Sequence, residues 1–238
     1  MIKYKRILLK LSGEAFQGEQ GHGIDTTVLN DYAAQVKEIV EMGVELGIVI
    51  GGGNIFRGLT GIDRGFDRVK GDYMGMLATV INGLAFQSSL ECIGVRSRVM
   101  TAIPMPPIGE PYSKNVAEKS LSQKEVIIFS AGTGNPFFTT DSASSLRALE
   151  IGADVLLKGT RVDGIYDSDP EKNTNAKKYE TLTFDQAIEG GLKVMDMTSF
   201  ALCKENFLPI IVFNMNKFGN LKKVISGENI GTLVKNKF

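Results

Sequence analysis

The sequence has few of the residues that define several large classes of protein. It contains two cysteines, one histidine and no tryptophan among 238 residues. Two cysteines are too few for a disulfide framework or a cysteine cage around zinc. Both stand in apolar stretches, so we expect Cys92 and Cys203 to be buried thiols in a reducing compartment. No apolar run approaches the ~18 residues that a membrane span needs, and we therefore expect a cytoplasmic protein without a membrane partner.

The chain also lacks an excess of charge of either sign. Lysine and arginine number 27 together, and so do aspartate and glutamate. A balanced chain has no general field that would gather nucleic acid, so no nucleic-acid partner is expected and any basic site must be local. The length favours one domain spanning residues 1–238, because α/β folds of this size often close around a single sheet.

Short apolar runs alternate with segments of helical periodicity. The first such segment has apolar residues at helical spacing over 28–40, with Asp25 placed to cap it and Gly43 placed to end it. Alternation of this kind predicts an α/β fold with a mainly parallel sheet. The predicted strands lie at 7–11, 44–50, 98–103, 126–130, 155–157, 210–213 and 231–234, further helices lie at 73–86, 142–151, 184–189 and 198–206, and a polar excursion covers 164–178.

Glycine clusters follow three of the predicted strands. They are Ser12-Gly13, Gly51-Gly52-Gly53-Asn54 and Gly132-Thr133-Gly134-Asn135. At the carboxyl end of a parallel strand, glycine lets backbone N–H groups approach a phosphate, and the following helix presents its positive dipole end. A single cluster is explained equally well as an ordinary strand-to-helix turn. Three clusters together indicate binding of more than one phosphate.

The common nucleotide-binding fingerprints are absent. No glycine pair is followed by Lys-Ser or Lys-Thr at Walker spacing, and no G-x-G-x-x-G occurs, which argues against a P-loop kinase and a Rossmann dehydrogenase. Dispersed cations stand beside the glycine loops instead, namely Lys10, Arg57 and Lys158. A bound phosphate would explain a lysine at the end of a buried strand, although Lys158 could also extend its ammonium to solvent.

The scarcity of histidine favours a particular kind of chemistry. His22, in a glycine-rich stretch, is expected to be an exposed loop residue, so the chain offers few general bases. A phosphate acceptor has a second pKa of about 6 and is already mostly dianionic at neutral pH. Transfer of a phosphoryl group to such an acceptor needs positioning and charge neutralisation by cations and backbone N–H groups, and no base.

Five blocks of the sequence occur in a distinctive order. They are Lys10-Leu11-Ser12-Gly13-Glu14, Gly51-Gly52-Gly53-Asn54-Ile55-Phe56-Arg57-Gly58, Asp72-Tyr73-Met74-Gly75-Met76-Leu77-Ala78-Thr79, Thr133-Gly134-Asn135-Pro136-Phe137-Phe138-Thr139-Thr140-Asp141, and Thr160-Arg161-Val162-Asp163-Gly164-Ile165-Tyr166 with Asp169-Pro170. From Lys5 to the carboxyl terminus the chain resembles the bacterial uridylate kinases of the amino acid kinase family. The fourth block is specific to uridylate kinases among their relatives. The resemblance implies a three-layer α/β/α sandwich and transfer of the γ-phosphoryl group of ATP to UMP.

The resemblance also implies roles for single residues. Lys10 and Lys158 would neutralise the transferring phosphoryl group, and Asp141 and Asp196 would orient a lysine or the metal, although each could simply cap a helix. Mg²⁺ would arrive with ATP, so no metal cage made by the protein is expected. The ATP side would consist of Lys10, Leu11, Ser12, Gly13, Gly53, Arg57, Thr160, Tyr166 and Asp169.

The acceptor side is implied by the same resemblance. Asp72 suits ribose hydroxyls because an ionised carboxylate only accepts hydrogen bonds, but it could instead cap a helix beginning near Tyr73. Tyr166, on the other side, would pack along the adenine or serve local packing. The UMP side would consist of Gly52, Asp72, Thr133, Gly134, Asn135, Pro136, Phe137, Phe138, Thr139 and Thr140.

Regulation and assembly are further implications of the resemblance. The stretch Gly18, Glu19, Gln20, Gly21, His22 and Gly23 matches the position where uridylate kinases respond to GTP as an activator, and UTP would inhibit. The same stretch is too glycine-rich for regular structure and could instead be a mobile lid over ATP. Relatives are homohexamers, so the apolar helix over residues 74–84 is a candidate contact face, although core burial explains its pattern equally well.

Two other functions remain open from the sequence. The first is a relative that phosphorylates a carboxylate or carbamate, such as acetylglutamate, glutamate, aspartate or carbamate. Such an enzyme should lack the block at residues 133–141 and would not need Asp72. The second is a nucleotide-sensing module without catalysis, and retention of Lys10, Arg57 and Lys158 argues against it.

Overall fold

The strands of the structure occupy the apolar runs of the sequence. The computed structural model describes residues 2–56, 65, 67–192 and 195–237. Each predicted strand is present, with ends shifted by a few residues. The strands are β1 (Arg6–Leu11), β2 (Glu45–Ile50), β3 (Ser97–Thr101), β4 (Glu110–Pro111), β5 (Val126–Ser130), β6 (Val155–Thr160), β7 (Ile165–Tyr166), β8 (Lys178–Tyr179), β9 (Thr181–Thr183), β10 (Ile210–Asn214) and β11 (Thr232–Lys235).

Nine strands of the described chain form one sheet. Their order is β4-β3-β5-β2-β1-β6-β10-β11-β9. Neighbours pair in parallel, apart from β10 and β11, which are antiparallel. The short strands β7 and β8 form a separate antiparallel pair within the predicted polar excursion. Since β1, β2, β5, β6 and β10 run in the same direction, the loops that follow them meet at one edge of the sheet.

Five of the seven described helices begin at a residue whose side chain caps them. Asp25 caps the first by accepting hydrogen bonds from the backbone N–H groups of Thr27 and Val28, as predicted. Asp67 caps the second by accepting from Lys70 N, so that helix begins before Tyr73 and the alternative role of Asp72 as a cap is wrong. The helices are α1 (Thr26–Glu41), α2 (Arg68–Cys92), α3 (Lys114–Ser122), α4 (Thr140–Glu150), α5 (Phe184–Glu189), α6 (Met197–Glu205) and α7 (Asn220–Ile225).

The helices cover both faces of the sheet and produce three layers. Side chains of β1 alternate between the two faces, so Ile7 and Leu9 pack into one core and Leu8 into the other. The first core contains apolar residues of α1, α2 and α7, and the second contains those of α3, α4, α5 and α6. The predicted α/β/α sandwich is therefore confirmed. Among the described residues, every helix is too short or too polar to span a bilayer.

Three expectations about burial and local structure need correction. Cys203 is buried as expected, but Cys92 is exposed because it is the last residue of α2. The glycine-rich stretch is not wholly irregular, since a 3-10 helix runs over Gly13–Gln20 with a break at Gly18, where φ is 56°. On α2, Val80 is buried, but the alternative that core burial explains the apolar pattern is wrong for Met74, Leu77, Ile81 and Leu84, which are all exposed.

Candidate active site

Two lysines stand side by side near the carboxyl ends of the central strands. Lys10 of β1 and Lys158 of β6 are register partners in the parallel pair. Lys10 shares its side of β1 with Leu8, which packs into the core beneath α4, so its ammonium faces that helix. Only 8% of Lys10 is exposed, and a cation this buried requires an anionic partner.

Asp141, in the first turn of α4, is that partner for both lysines. Its Oδ1 lies 3.0 Å from the Nζ atom of Lys10, and its Oδ2 lies 3.1 Å from the Nζ atom of Lys158. Burial raises the pKa of Asp141, but the two ammonium charges outweigh that effect and hold the pKa below its usual range. Burial and the nearby charge of Lys10 lower the pKa of Lys158, against the attraction of Asp141. The alternative that Lys158 extends to solvent is wrong, because it is paired inside the site.

The helix-capping alternatives have different outcomes for the two aspartates. Thr139 is the cap of α4 and accepts from Asp141 N at 3.0 Å, so capping by Asp141 is wrong. Asp196 does cap α6, accepting from Ser199 N at 2.7 Å. Its other oxygen accepts from Ser142 Oγ at 2.8 Å and from the hydroxyl of Thr139. Asp196 therefore connects α6 to the start of α4, beside the lysine pair.

The glycine loops after β1 and β2 touch each other directly. A Cβ atom at Gly13 would lie 2.3 Å from the backbone oxygen of Gly51, and one at Gly52 would lie 2.8 Å from both Ala78 Cβ and Gly75 O. No side chain fits at either position without a shift of backbone. The glycines thus allow close contact of the loop backbones with each other and with α2, at the edge where the lysines end.

A cleft of about 780 Å³ lies on one side of the lysine pair. Of the predicted ATP-side residues, Lys10, Ser12, Thr160 and Asp169 line it, and so do Lys158 and Gly18. The others that the structure describes, Leu11, Gly13, Gly53 and Tyr166, do not line it. Leu11 is a core residue, and the hydroxyl of Tyr166 donates to Asp163. Arg57 lies outside the described residues.

Sequence reasoning missed several residues of this cleft. Tyr32 of α1 donates its hydroxyl hydrogen bond to Asn216 Oδ1 at 2.5 Å, and both residues line the cleft together with Val162 and Phe218. Asn216 and Phe218 follow the carboxyl end of β10. The position of that strand end was a usable signal, because loops after parallel strands share one edge of the sheet.

A smaller cavity of about 130 Å³ lies between α2 and the start of α4. Six of the predicted acceptor-side residues line it, whereas Gly134, Asn135, Pro136 and Phe137 do not. Residues of α2 that sequence reasoning did not single out, such as Gly71 and Thr79, complete the wall. The six predicted residues that line the cavity are Gly52, Asp72, Thr133, Phe138, Thr139 and Thr140.

Asp72 joins α2 to the loop of the fourth sequence block. Its Oδ2 accepts from Phe137 N at 2.8 Å and from Arg68 Nε, one helical turn earlier, at 2.8 Å. Phe137 has a φ of 72°, which is uncommon for a residue with a side chain, and the Arg68 guanidinium lies 5.5 Å from the centre of its ring. Both hydrogen bonds end on Oδ2, and no described residue hydrogen-bonds to Oδ1.

The glycine-rich stretch at residues 18–23 meets the large cleft at Gly18, which lines it. His22 is exposed as expected, with Nδ1 2.9 Å from Gln20 O. Gly21 and Gly23 both have a φ of 72° and open space around them. Gly23 is nevertheless tied down, because its N–H donates to Asn54 O at 3.0 Å.

The carboxylates of the site suit a metal ion that the substrate brings with it. Among the described residues, no three histidine, cysteine or acidic side chains come together as a metal cage. Asp141 and Asp196 stand beside the lysines and could supply one or two oxygen ligands. Mg²⁺ in phosphoryl-transfer sites is held in this way, by few protein carboxylates together with phosphates and water.

Comparison with known proteins agrees with this fold. The model of the amino acid kinase family matches residues 5–214. A protein named uridylate kinase from Bacteroides thetaiotaomicron is 64% identical over 236 residues, covering 99% of this chain and all of that protein. The crystal structure of UMP kinase from Bacillus anthracis superposes with a TM-score of 0.95 at 38% identity, covering 99% of this chain and 97% of that one.

The crystal structure of UMP kinase from Ureaplasma parvum is also similar, with a TM-score of 0.92 at 40% identity. It is matched over its whole length by 99% of this chain. The agreement thus extends over nearly the whole chain. The chain belongs to the amino acid kinase family, in its uridylate kinase group.

Proposed function

We propose that this protein transfers the γ-phosphoryl group of ATP to the phosphate of UMP, forming UDP and ADP. The observation that carries the proposal is a pair of unequal cavities near the Lys10–Asp141–Lys158 cluster: both lysines line the larger one, and Thr140, next to Asp141 in the chain, lines the smaller one. In the transfer, the bond between the γ-phosphorus and the β,γ-bridging oxygen breaks. A phosphate oxygen of UMP forms the new bond. The acceptor has no proton to lose, so no general base is required.

The lysine pair would stabilise the charge of the transferring group. Asp141 faces two ammonium groups, so this three-residue cluster carries one positive charge in excess, part of which the nearby Asp196 offsets. A partly buried positive excess attracts an anion more strongly than the same charge in water. Asp141 would hold both lysines in place, and Asp196 would hold the start of α4. Mg²⁺ bound to the ATP phosphates would neutralise further charge, with Asp141 or Asp196 as its possible protein ligands.

We assign the large cleft to ATP and the small cavity to UMP. The ATP assignment rests on the size of the cleft and on the polar groups of Ser12, Thr160 and Asp169 that line it. The UMP assignment rests on Asp72, whose Oδ1 can accept from a ribose hydroxyl, and on the threonines at 133, 139 and 140. Arg57, Gly53 and Tyr166 stay as predicted ATP contacts, and the loop over residues 134–137 as a predicted UMP contact.

Acceptor selectivity tests the proposed function. With MgATP, UMP should be converted at least tenfold more efficiently than CMP, because an unmatched polar edge of the base leaves buried site groups unpaired. The measurement is kcat/KM from ADP release with UMP, CMP, AMP, GMP and acetylglutamate. Comparable values for UMP and CMP would remove the selectivity. Turnover of acetylglutamate without turnover of UMP would make this protein a carboxylate kinase, and absence of all turnover would favour a sensing module.

We also propose that α2 forms a contact between subunits. Its exposed apolar side chains recur at helical spacing, and Leu77 and Ile81 are each 50% exposed. Such a stripe on a helix is typical of a protein contact. The sequence resemblance makes a homohexamer the expected assembly. Sedimentation of the wild type and of Leu77→Glu should show a smaller assembly for the variant, and a monomeric wild type would contradict the proposal.

GTP activation and UTP inhibition are the regulatory part of the proposal. The stretch at residues 18–23 adjoins the ATP cleft and is anchored through Gly23, so a ligand there could change nucleotide affinity. A coupling of about 1 to 3 kcal/mol would shift apparent affinity about five- to 150-fold. The test is UDP formation at subsaturating UMP with and without GTP, in the wild type and in a Gly21→Ala, Gly23→Ala variant. If GTP alters neither rate nor UTP inhibition, the stretch is a lid.

A further inference from the structure

Two buried amide side chains face each other between α2 and the loop that follows β2. Asn82 is fully buried in the middle of α2, and Asn54 ends the triple-glycine block and is 6% exposed. Asn82 Nδ2 donates to Asn54 Oδ1 at 2.7 Å, and Asn54 Nδ2 donates to Asn82 Oδ1 at 3.0 Å. The two side chains therefore form a reciprocal pair of hydrogen bonds, which we call the amide pair.

Each amide also donates to a loop backbone. Asn82 Nδ2 donates to Gly51 O at 2.7 Å, and Asn54 Nδ2 donates to Gly23 O at 2.7 Å. The backbone of Asn54 accepts from Gly23 N at 3.0 Å. The amide pair thus uses all four of its N–H donors and joins three segments: α2, the loop after β2, and the chain that enters α1.

The amide pair also limits where the loop after β1 can lie. A Cβ atom at Gly13 would lie 2.6 Å from Asn54 Oδ1 and 2.3 Å from Gly51 O, the same oxygen that Asn82 binds. The backbone of Gly13 therefore rests against atoms that the amide pair holds. Gly13 is only three residues after Lys10, so a contact that restricts Gly13 also restricts the segment between them. The positions of the two glycine loops relative to the lysine cluster depend on these bonds.

Packing alone does not require amides at these two positions. Replacing both partners of a buried hydrogen bond with apolar groups of similar shape can leave stability nearly unchanged. What apolar side chains could not supply is the donation to Gly51 O and Gly23 O, which fixes the loops in one orientation. Phosphoryl transfer is sensitive to such positioning, since a misplacement of about 1 Å can cost on the order of a hundredfold in rate.

We propose that Asn54 and Asn82 are positioning residues for phosphoryl transfer. They hold the backbone N–H groups of the glycine loops, at the edge where Lys10 ends, in the arrangement that the transferring phosphate needs. The inference rests on the proposed function and adds to it two residues that line neither of the two assigned cavities. Their effect is transmitted through Gly51, Gly23 and Gly13.

The test compares Asn82→Ala, Asn54→Ala, the double variant and Asn82→Asp. We expect each single alanine variant to lose about tenfold in kcat, because loosened loops place their donors less accurately. KM for ATP and for UMP should change less than kcat. The double variant should be at most about threefold slower than the slower single variant, since both substitutions break the same pair. Asn82→Asp keeps the shape but loses both donated hydrogen bonds, to Gly51 O and to Asn54 Oδ1, and it should be as slow as Asn82→Ala.

Gln87→Ala is the matched control. Gln87 is an amide on the same helix that donates to the backbone carbonyl of Ser97 at 3.2 Å, beside the amino end of β3 and away from the active edge. It should lose stability in urea without a loss of kcat. A wild-type enzyme that forms no UDP would refute the proposed function. An active wild type with Asn82→Asp or Asn54→Ala within twofold of its kcat would refute the role of the amide pair. If Asn82→Ala does not fold, Asn54→Ala and Asn82→Asp decide the question.

Discussion

Replacing Lys10 with methionine is expected to lower kcat by about a hundredfold or more, with little change in the KM for UMP. The methionine keeps most of the length and volume of the side chain but removes the ammonium. Lys10 lies 3.0 Å from Asp141 and lines the large cleft, so the lost charge is one that we assign to the transferring group. A loss confined to kcat is the mark of an interaction made in the transition state.

The same substitution is expected to leave stability unchanged or slightly increased. Asp141 keeps Lys158 as a partner at 3.1 Å, and the repulsion between two neighbouring ammonium groups disappears. A protein that holds like charges close together to bind an anionic substrate commonly has a lower free energy of unfolding than it would have without them. Unfolding in urea and steady-state rates of UDP formation are the two measurements.

Lys5→Met is the control for Lys10→Met. Lys5 is exposed and directly precedes β1, at the end of the strand opposite to Lys10. Lys5→Met therefore removes the same charge at a position distant from the site. Its kcat should equal that of the wild type. Should Lys10→Met retain normal kcat, Lys10 has no part in stabilising the transferring group and its burial beside Asp141 is structural.

Replacing Asp72 with asparagine is expected to act mainly on the acceptor, raising the KM for UMP by about ten- to a hundredfold. The carboxylate accepts on Oδ2 from Phe137 N and Arg68 Nε and leaves Oδ1 for a ribose hydroxyl. An amide has one oxygen instead of two, so that oxygen can accept either from Phe137 N and Arg68 Nε or from the ribose hydroxyl, but not from both sides. The NH₂ group would then face a donor with which it cannot form a hydrogen bond. Loss of a hydrogen bond to a charged group costs about 1.5 to 3 kcal/mol, which is the source of the expected range.

Asp67→Asn is the control for Asp72→Asn. Asp67 lies on the same helix, is exposed, and caps it by accepting from Lys70 N. Asparagine is as good a cap as aspartate, so neither stability nor the KM for UMP should change. The comparison requires KM values for both substrates. A KM for ATP that rises as much as that for UMP would show that Asp72 acts on the site in general, and an unchanged KM for UMP would remove it from the acceptor side.

Local chemistry in the sequence was sufficient for much of the fold. The apolar runs predicted the strands because a strand buried on both faces needs continuous apolar residues. Asp25 predicted the start of α1 because a cap satisfies N–H groups only two or three residues away. The glycines after β1, β2 and β5 indicated the active edge by the same reasoning. Each of these signals lies within a short window of sequence, and tertiary packing did not alter them.

The partners of the site residues were not accessible from such windows. Lys10 was singled out by its position at the end of a buried strand, but its pairing with Asp141 depends on α4 packing against β1 and β6. Asp72 was assigned to ribose or to a cap, and its bond to the backbone of Phe137 spans 65 residues of chain. The sequence also did not decide whether the apolar face of α2 is exposed or buried. Periodicity predicts that one face of a helix is apolar, but it does not predict what covers that face.

The amide pair shows most clearly what each level determined. Asn54 stands in a glycine block that the sequence marked as functional, but nothing nearby in the chain indicates that its side chain bonds to Asn82 and to Gly23 O. Asn82 is a polar residue in an apolar helix, and periodicity alone leaves it without a role. Only the packing of α2 against the loop after β2 brings their four N–H donors to their acceptors.

The sequence by itself determined the elements and the edge where chemistry occurs, because those depend on local periodicity and turn chemistry. The tertiary structure decided which side chains meet there, because hydrogen bonds between distant segments depend on strand register and on the packing of the layers.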